Sequence, residues 1–301
     1  MTDLTNPIYS DNDAARKHLE SIRWPDGPYC PHCGELENVH RMEGESHAPG
    51  LCYCRSCRMK FSVTAGTVFE RSHIALHKWL LAVDLMSASK KGISAHQLHR
   101  MLGITYKSAW FMAHRIREAM KGSETGPLGG EGKHVEADET FLGRKPGRKK
   151  HQGTAHKMAV VSLVERGGKV RSFKVDNVDS KSITKIVSKN VSRKSTLQTD
   201  EASYYKTLGK SFADHQAVVH SKEEYVRGTA HTNTLEGYFS IFKRGMKGVY
   251  QHCGEQHLAR YLAEFDFRYN HRIAAGFNDA ERAVQALKGA AGRRLTYRRT
   301  Y

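Results

Sequence analysis

Three carboxylates of this 301-residue chain have the type and spacing for metal-assisted chemistry: Asp138 in VEADETFLG, Asp200 in LQTDEASYY and Glu236 in HTNTLEGYF. Written as intervals, the pattern is D-x61-D-x35-E. Two divalent cations about 4 Å apart need hard, anionic oxygen ligands from separate parts of a chain, and Mg2+ or Mn2+ suits them. Such a pair activates an oxygen nucleophile on one side of a phosphorus and stabilises the leaving oxygen on the other. Lys243 follows Glu236 by seven residues, two helical turns, so its ammonium shares that face and could meet a phosphate backbone. Glu236 also has a purely structural reading, since Asn233-Thr-Leu-Glu236 fits a capping box with Asn233 as N-cap. Strand alternation puts Glu136 on the face of Asp138, which makes it the natural substitute ligand, while Glu139 and Glu201 should point away.

A second constellation lies near the start. Five of the six cysteines fall within residues 30–57, as Cys30-Pro-His-Cys33 and, twenty residues on, Cys54-Arg-Ser-Cys57, with Cys52 beside them. Two CxxC knuckles can each clamp one edge of a tetrahedral Zn2+, and a closed four-thiolate site is structural. It would supply folding energy to a segment too short for a core of its own. Cys52 could replace Cys54 as a ligand, but the CxxC register favours Cys30, Cys33, Cys54 and Cys57 and leaves Cys52 as a strand residue.

The elements that must position these residues can be read from periodicity. Residues 1–70 are expected to hold an N-terminal helix and the zinc ribbon. Within residues 71–122 an apolar stripe over 74–88 predicts a helix, and 95–102 and 105–120, separated by Gly103-Ile104, read as a helix-turn-helix. Its second helix would present Tyr106, Lys107, Ser108 and His114 or Arg115 to a major groove. The glycine-rich stretch 121–133 marks a boundary. Beyond it, strands at 133–142, 156–165 and 170–176, a helix at 180–191, strands at 195–199 and 216–220, and helices from about 234 and 255 follow in order. The succession β-β-β-α-β-α-β-α predicts a mixed α/β, ribonuclease-H-like domain over 133–275, followed by a basic tail over 276–301. The loop GRKPGRKKH at 143–151 is suited to phosphate.

Composition narrows the class of partner. With 48 Lys and Arg against 31 Asp and Glu the formal charge is +17, spread along the chain, which points to a polyanion without distinguishing DNA from RNA. No apolar run approaches the roughly 20 residues a membrane span requires, and the first residues lack the pattern of an export signal, so a cytoplasmic, nucleoid-associated protein with no membrane partner is expected.

The blocks VEADETFLGRKPGRK, LQTDEASYY, HTNTLEGYFSIFKRGMKGVYQHC and HLARYLAEFDFRYNHR resemble the signature blocks of bacterial insertion-sequence transposases with an N-terminal zinc ribbon, the branch related to Merlin elements. The likeness runs from the CxxC knuckles to about Arg272. It implies a DDE transposase with Asp138, Asp200 and Glu236 as its acidic triad, Lys243 as the following lysine, and double-stranded DNA, both element ends and target, as partner. Some members carry an asparagine as third ligand, and Asn233 stands one turn before Glu236 on the same face. Two element ends must be handled together, so a dimer or higher oligomer is expected on DNA. The same residues leave two other readings open: a nuclease or resolvase of the same fold, and a DNA-binding regulator with a decayed catalytic domain.

Overall fold

The computed structural model describes residues 3–122, 126–149, 153–218 and 231–296. The chain forms two compact units, Met1–Lys121 with Phe277–Tyr301, and Gly122–Gly276. None of the described helices is long and apolar enough to cross a membrane.

The first unit opens with helix α1 (Asn12–Arg23), whose N-cap Asp11 accepts a hydrogen bond from the Ala14 amide. A three-stranded antiparallel sheet follows, β1 (Val39–Arg41), β2 (Cys52–Cys54) and β3 (Lys60–Phe61), in that order. Helices α2 (Leu76–Ala88), α3 (Ala95–Leu102) and α4 (Tyr106–Ala119) come next. The turn between α3 and α4 is sharp because Gly103 ends α3 at φ 59°, a left-handed conformation with little cost only for glycine, and Thr105 caps α4 at once. Ribbon and helices pack within one compact unit.

The segment expected to be a basic tail starts as a helix, α9 (Asp279–Lys288), closed at its N-terminus by a reciprocal Asn278–Glu281 capping box. Ala283, Ala286 and Leu287 on its inner side are buried, and Arg282 donates to the Ser87 carbonyl at the end of α2. A Cβ on Gly289 would stand 2.2 Å from the Ala119 carbonyl oxygen, so the chain can return across the end of α4 only with glycine there. A charge-based reading missed this helix because its apolar positions are mostly alanines.

The second unit is built on a five-stranded sheet of β4 (His134–Leu142), β5 (Met158–Glu165), β6 (Val170–Val175), β7 (Thr196–Thr199) and β8 (Asp214–Ala217), in the order β6-β5-β4-β7-β8. The β4-β5-β6 meander is antiparallel, whereas β7 and β8 run parallel to β4. Helices α5 (Ser180–Asn190), α6 (Ser203–Gly209), α7 (Asn233–Gly245) and α8 (Leu258–Asn270) complete the mixed α/β, ribonuclease-H-like arrangement. The last strand lies at 214–217, earlier than expected, and residues 219–220 of the predicted strand lie outside the described residues. The domain also begins earlier than 133: Leu128 is buried and pairs with Val191.

Period-two alternation divides the sheet into two apolar faces. Val135, Ala137, Val161 and Leu163 pack with Ile183 and Val187 of α5 and Tyr205 and Leu208 of α6. Leu142, Val160 and Val164 pack with Leu235, Tyr238, Phe239 and Phe242 of α7 and Leu258, Leu262 and Phe265 of α8. Glu136 and Asp138 therefore leave β4 on the α7 side, and Glu139 on the α6 side.

Candidate catalytic and zinc sites

In the zinc ribbon the four expected sulfurs converge. Cys30, Cys33, Cys54 and Cys57 place their Sγ atoms within 4.8 Å of one another, with Cys30–Cys57 and Cys33–Cys54 each at 3.6 Å. A tetrahedral Zn2+ with bonds of about 2.3 Å needs sulfurs about 3.8 Å apart, so the set fits the ion as it stands. Without the ion the thiols share protons unequally: the Cys57 backbone amide chiefly draws Cys54 down to about 7, while burial and the neighbouring thiols push Cys33 up to about 12. Cys52 is buried in β2 opposite Phe61, outside the sulfur cluster, and burial pushes its thiol up.

In the second unit β4 and β7 are parallel neighbours with His134 opposite Thr196 and Glu136 opposite Gln198. Carried two residues further, that register sets Asp138 level with Asp200, where β7 has just ended. Asp138 thus stands in the middle of β4, just beyond its last pair with β7, and Asp200 directly after the carboxyl end of β7. The Asp200 Oδ1 accepts a hydrogen bond from the Ala202 amide at 3.1 Å. Its side chain lines a cleft of about 310 Å3 together with Glu201, Lys206 and His215. Glu201, expected to point away, shares this cleft.

Glu139 does point to the other side of the sheet, where the hydroxyls of Tyr204 and Tyr205 donate to its two oxygens. It still senses the neighbouring acids: burial, then the charges of Asp200 and Asp138, raises its carboxyl to about 8. That concentration of negative charge is the environment a divalent cation relieves, and hard carboxylate oxygens are the donors it takes.

Glu236 lies in the first turn of α7, exposed on the same side as exposed Asn233, with Lys243 half-buried two turns on. The N-cap is Thr232, not Asn233, and it makes no side-chain capping bond. Its hydroxyl instead donates to the Glu236 Oε1 at 3.0 Å, so the capping box does not form. Among the described residues, the cysteine cluster is the one group of three or more His, Cys, Asp or Glu side chains whose ligand atoms lie this close together, so Asp138, Asp200 and Glu236 are not drawn to that spacing here.

Glu136 is not a substitute ligand. It is fully buried, and its oxygens accept from Arg166 Nε at 2.7 Å, Thr234 Oγ1 at 2.8 Å and the Leu235 amide at 2.9 Å. Its partners come from the β5–β6 turn and from α7, which alternation along β4 could not reveal.

On the helix-turn-helix, Tyr106 is exposed and stacks on His96 with ring centroids 4.3 Å apart, and Lys107 and Arg100 are exposed as well. Ser108 is half-buried, its amide bonded to the Thr105 hydroxyl oxygen. His114 and Arg115 are buried and cannot reach a groove, contrary to expectation. The Arg115 guanidinium lies over the Trp79 ring and donates to the Glu70 carbonyl. The second half of α4 is the inner helix of its unit, leaving its first turn to face outward. In the basic loop, Arg144, Arg148 and Lys149 are exposed and Lys145 bonds the Asp176 carbonyl, whereas residues 150–151 lie outside the described residues.

Two families match the two units in the expected order. Residues 10–60 match the family described as transposase zinc-ribbon domain, and residues 127–270 match the ISXO2-like transposase domain. Over these two segments the chain matches a zinc-ribbon transposase of the DDE, insertion-sequence kind. A relative from Halobacterium salinarum, described as an uncharacterized protein in transposable element ISH50, is 29% identical over 270 residues, spanning 83% of this chain and 88% of the relative.

Proposed function

We propose that this transposase binds the ends of its own insertion sequence, hydrolyses a phosphodiester to free a 3′-hydroxyl, and directs that hydroxyl onto target DNA. The observation that supports the reading is the parallel β4–β7 register, which, extended two residues, brings mid-strand Asp138 level with Asp200 just past the end of β7. Two Mg2+ or Mn2+ ions, when bound, supply Lewis-acid stabilisation of the attacking and leaving oxygens. Asp138, Asp200 and Glu236 hold them, with Asn233 as the alternative to Glu236, and Lys243 grips a phosphate alongside. Water and the 3′-hydroxyl attack phosphorus in turn at the same carboxylates, because both steps develop charge on the same kinds of oxygen. No side chain has to become covalently attached to DNA.

The zinc ribbon and the first turn of α4, through Tyr106 and Lys107, engage element-end DNA. Two ends must be held together, so the working species on DNA is a dimer or larger. The test is strand transfer of labelled element-end DNA with Mn2+, using wild type, Asp138→Asn and Asp200→Asn, with DNA affinity measured in parallel. Both variants should lose cleavage and joining while binding DNA as wild type does. Cleaved but never joined product from wild type would make the protein a nuclease, and unchanged cleavage by Asp138→Asn would refute the assigned site.

A further inference from the structure

The first turn of a helix leaves amides with no intrahelical partner, and a side chain at the N-cap ordinarily accepts one of them. In α7 the cap residue Thr232 makes no such bond. The acceptor comes from another element: Oε2 of Glu136, on β4, takes the Leu235 amide at 2.9 Å. Its Oε1 takes the Thr234 hydroxyl at 2.8 Å and Arg166 Nε at 2.7 Å. Arg166 in turn donates through Nη2 to the His231 carbonyl at 2.7 Å, immediately ahead of the helix. An anion is favoured at a helix N-terminus, but one wholly removed from water is tolerated only when paired and fully hydrogen-bonded, as here.

The two ends of this link matter for what they adjoin. Glu136 precedes Asp138 by two residues on the same face of the same strand, and the bonded Thr234 and Leu235 directly precede Glu236. We propose that Glu136 is a positioning residue: with Arg166 it fastens the first turn of α7 to β4 and so fixes where Glu236 and Asn233 stand relative to Asp138. Beyond the first turn α7 packs through apolar contacts and a polar tie, the Tyr238 hydroxyl donating to Asp266 Oδ1 at 2.5 Å, so the Glu136 link is the directional tie to β4 at the turn that carries Glu236 and Asn233. Metal-binding groups need placement to about half an ångström, which side chains on two separate elements reach only when the elements are tied by directional bonds. This inference rests on the reading of Asp138 and Glu236 as metal ligands, but the link itself is testable without that reading.

The experiment compares full-length wild type, Glu136→Gln and Thr234→Val in three measurements. Amide exchange of the α7 first turn is followed without metal, Mn2+ binding is titrated by electron paramagnetic resonance, and cleavage is followed against Mn2+ concentration. In Glu136→Gln the first-turn amides should exchange at least tenfold faster. Half-saturating Mn2+ should rise at least tenfold in both titrations, with a smaller change in the rate at saturation. Thr234→Val, which removes one bond and no charge, should move each quantity in the same direction by less, and it serves where Glu136→Gln does not fold. Exchange and Mn2+ half-saturation both unchanged from wild type would overturn the proposal, as would a lowered melting temperature with unchanged Mn2+ half-saturation. If Asp138→Asn binds Mn2+ as wild type does while Glu136→Gln still accelerates exchange, the ligand assignment has failed and the link between β4 and α7 stands.

Discussion

Glu139 and Tyr205 meet across the α6 face of the sheet, the tyrosine hydroxyl donating to the carboxyl at 3.2 Å, although Glu139 is the immediate neighbour of Asp138. Burial, reinforced by the charges of Asp200 and Asp138, raises this carboxyl from 4.5 to about 8. In that window the unfolded chain carries Glu139 ionised while the folded protein keeps it protonated. Its contribution to stability is complete below pH 4.5 and is lost as pH rises through about 8. For metal-free protein, thermal melts of Glu139→Gln against wild type should converge at the acid end and separate towards pH 8, with the variant higher. Parallel curves at every pH would contradict the shift.

Arg268 and Glu264 form a buried pair one turn apart on α8, Arg268 Nη1 donating to the Glu264 carboxylate. The Tyr250 hydroxyl donates to the same carboxylate, and the guanidinium also lies over the Phe265 ring at 4.5 Å. On an exposed helix such a spacing contributes a few tenths of a kcal/mol. With side-chain exposures of 6% for Arg268 and 0% for Glu264, removing one partner strands the other charge in the interior. Glu264→Ala should cost about 3–5 kcal/mol in denaturant unfolding of the intact chain, against under 1 kcal/mol for an exposed pair.

The sulfur geometry of the ribbon makes zinc a folding ligand. Cys33→Ser, or chelation of wild type, should remove the bound zinc and abolish the ordered signals of residues 30–60 in an NMR spectrum. Cys52→Ser should keep one zinc per chain by atomic absorption, because Cys52 lies outside the cluster. Loss of zinc from Cys52→Ser would reverse the ligand assignment.

The two halves of α4 should respond differently to truncation of their basic side chains. Lys107→Ala should weaken binding to element-end DNA and flatten its salt dependence by about one phosphate contact, leaving the melting temperature in place. Arg115→Ala should lower the melting temperature instead, since its guanidinium packs on Trp79 and satisfies the Glu70 carbonyl.

A similar contrast tests the C-terminal helix. Leu287→Ala should destabilise the first unit by about 2–5 kcal/mol in a denaturant melt, as for any large buried side chain cut back to alanine. Exposed Arg294→Ala should stay within about 0.5 kcal/mol of wild type. Equal, small effects would make the segment the tail its charge suggested.

Much of this protein was legible in its residues alone, and the limits follow from how far each force reaches. The CxxC knuckles declared themselves because two thiolates on one tight turn form half a metal site through local geometry. The strands and helices of the second unit were legible from hydrophobic period, because a strand or helix buries one face at a spacing set by its own backbone. Position 138 in the first strand and position 200 at the end of the fourth also followed from that pattern. Tertiary structure decided what depends on a neighbour distant in the chain. Asp138 stands level with Asp200 only because β7 pairs with β4 in parallel at one register. Glu136, indistinguishable from a ligand along β4, became a buried anchor because Arg166 and the open amides of α7 surround it. His114 and Arg115 were withdrawn from any groove by the packing of α2 and α9 around α4, and alanine-rich α9 acquired its place only from the surface it covers. Local backbone chemistry writes its requirements into adjacent residues, whereas a carboxylate's role is set by the charges and donors that folding brings to it.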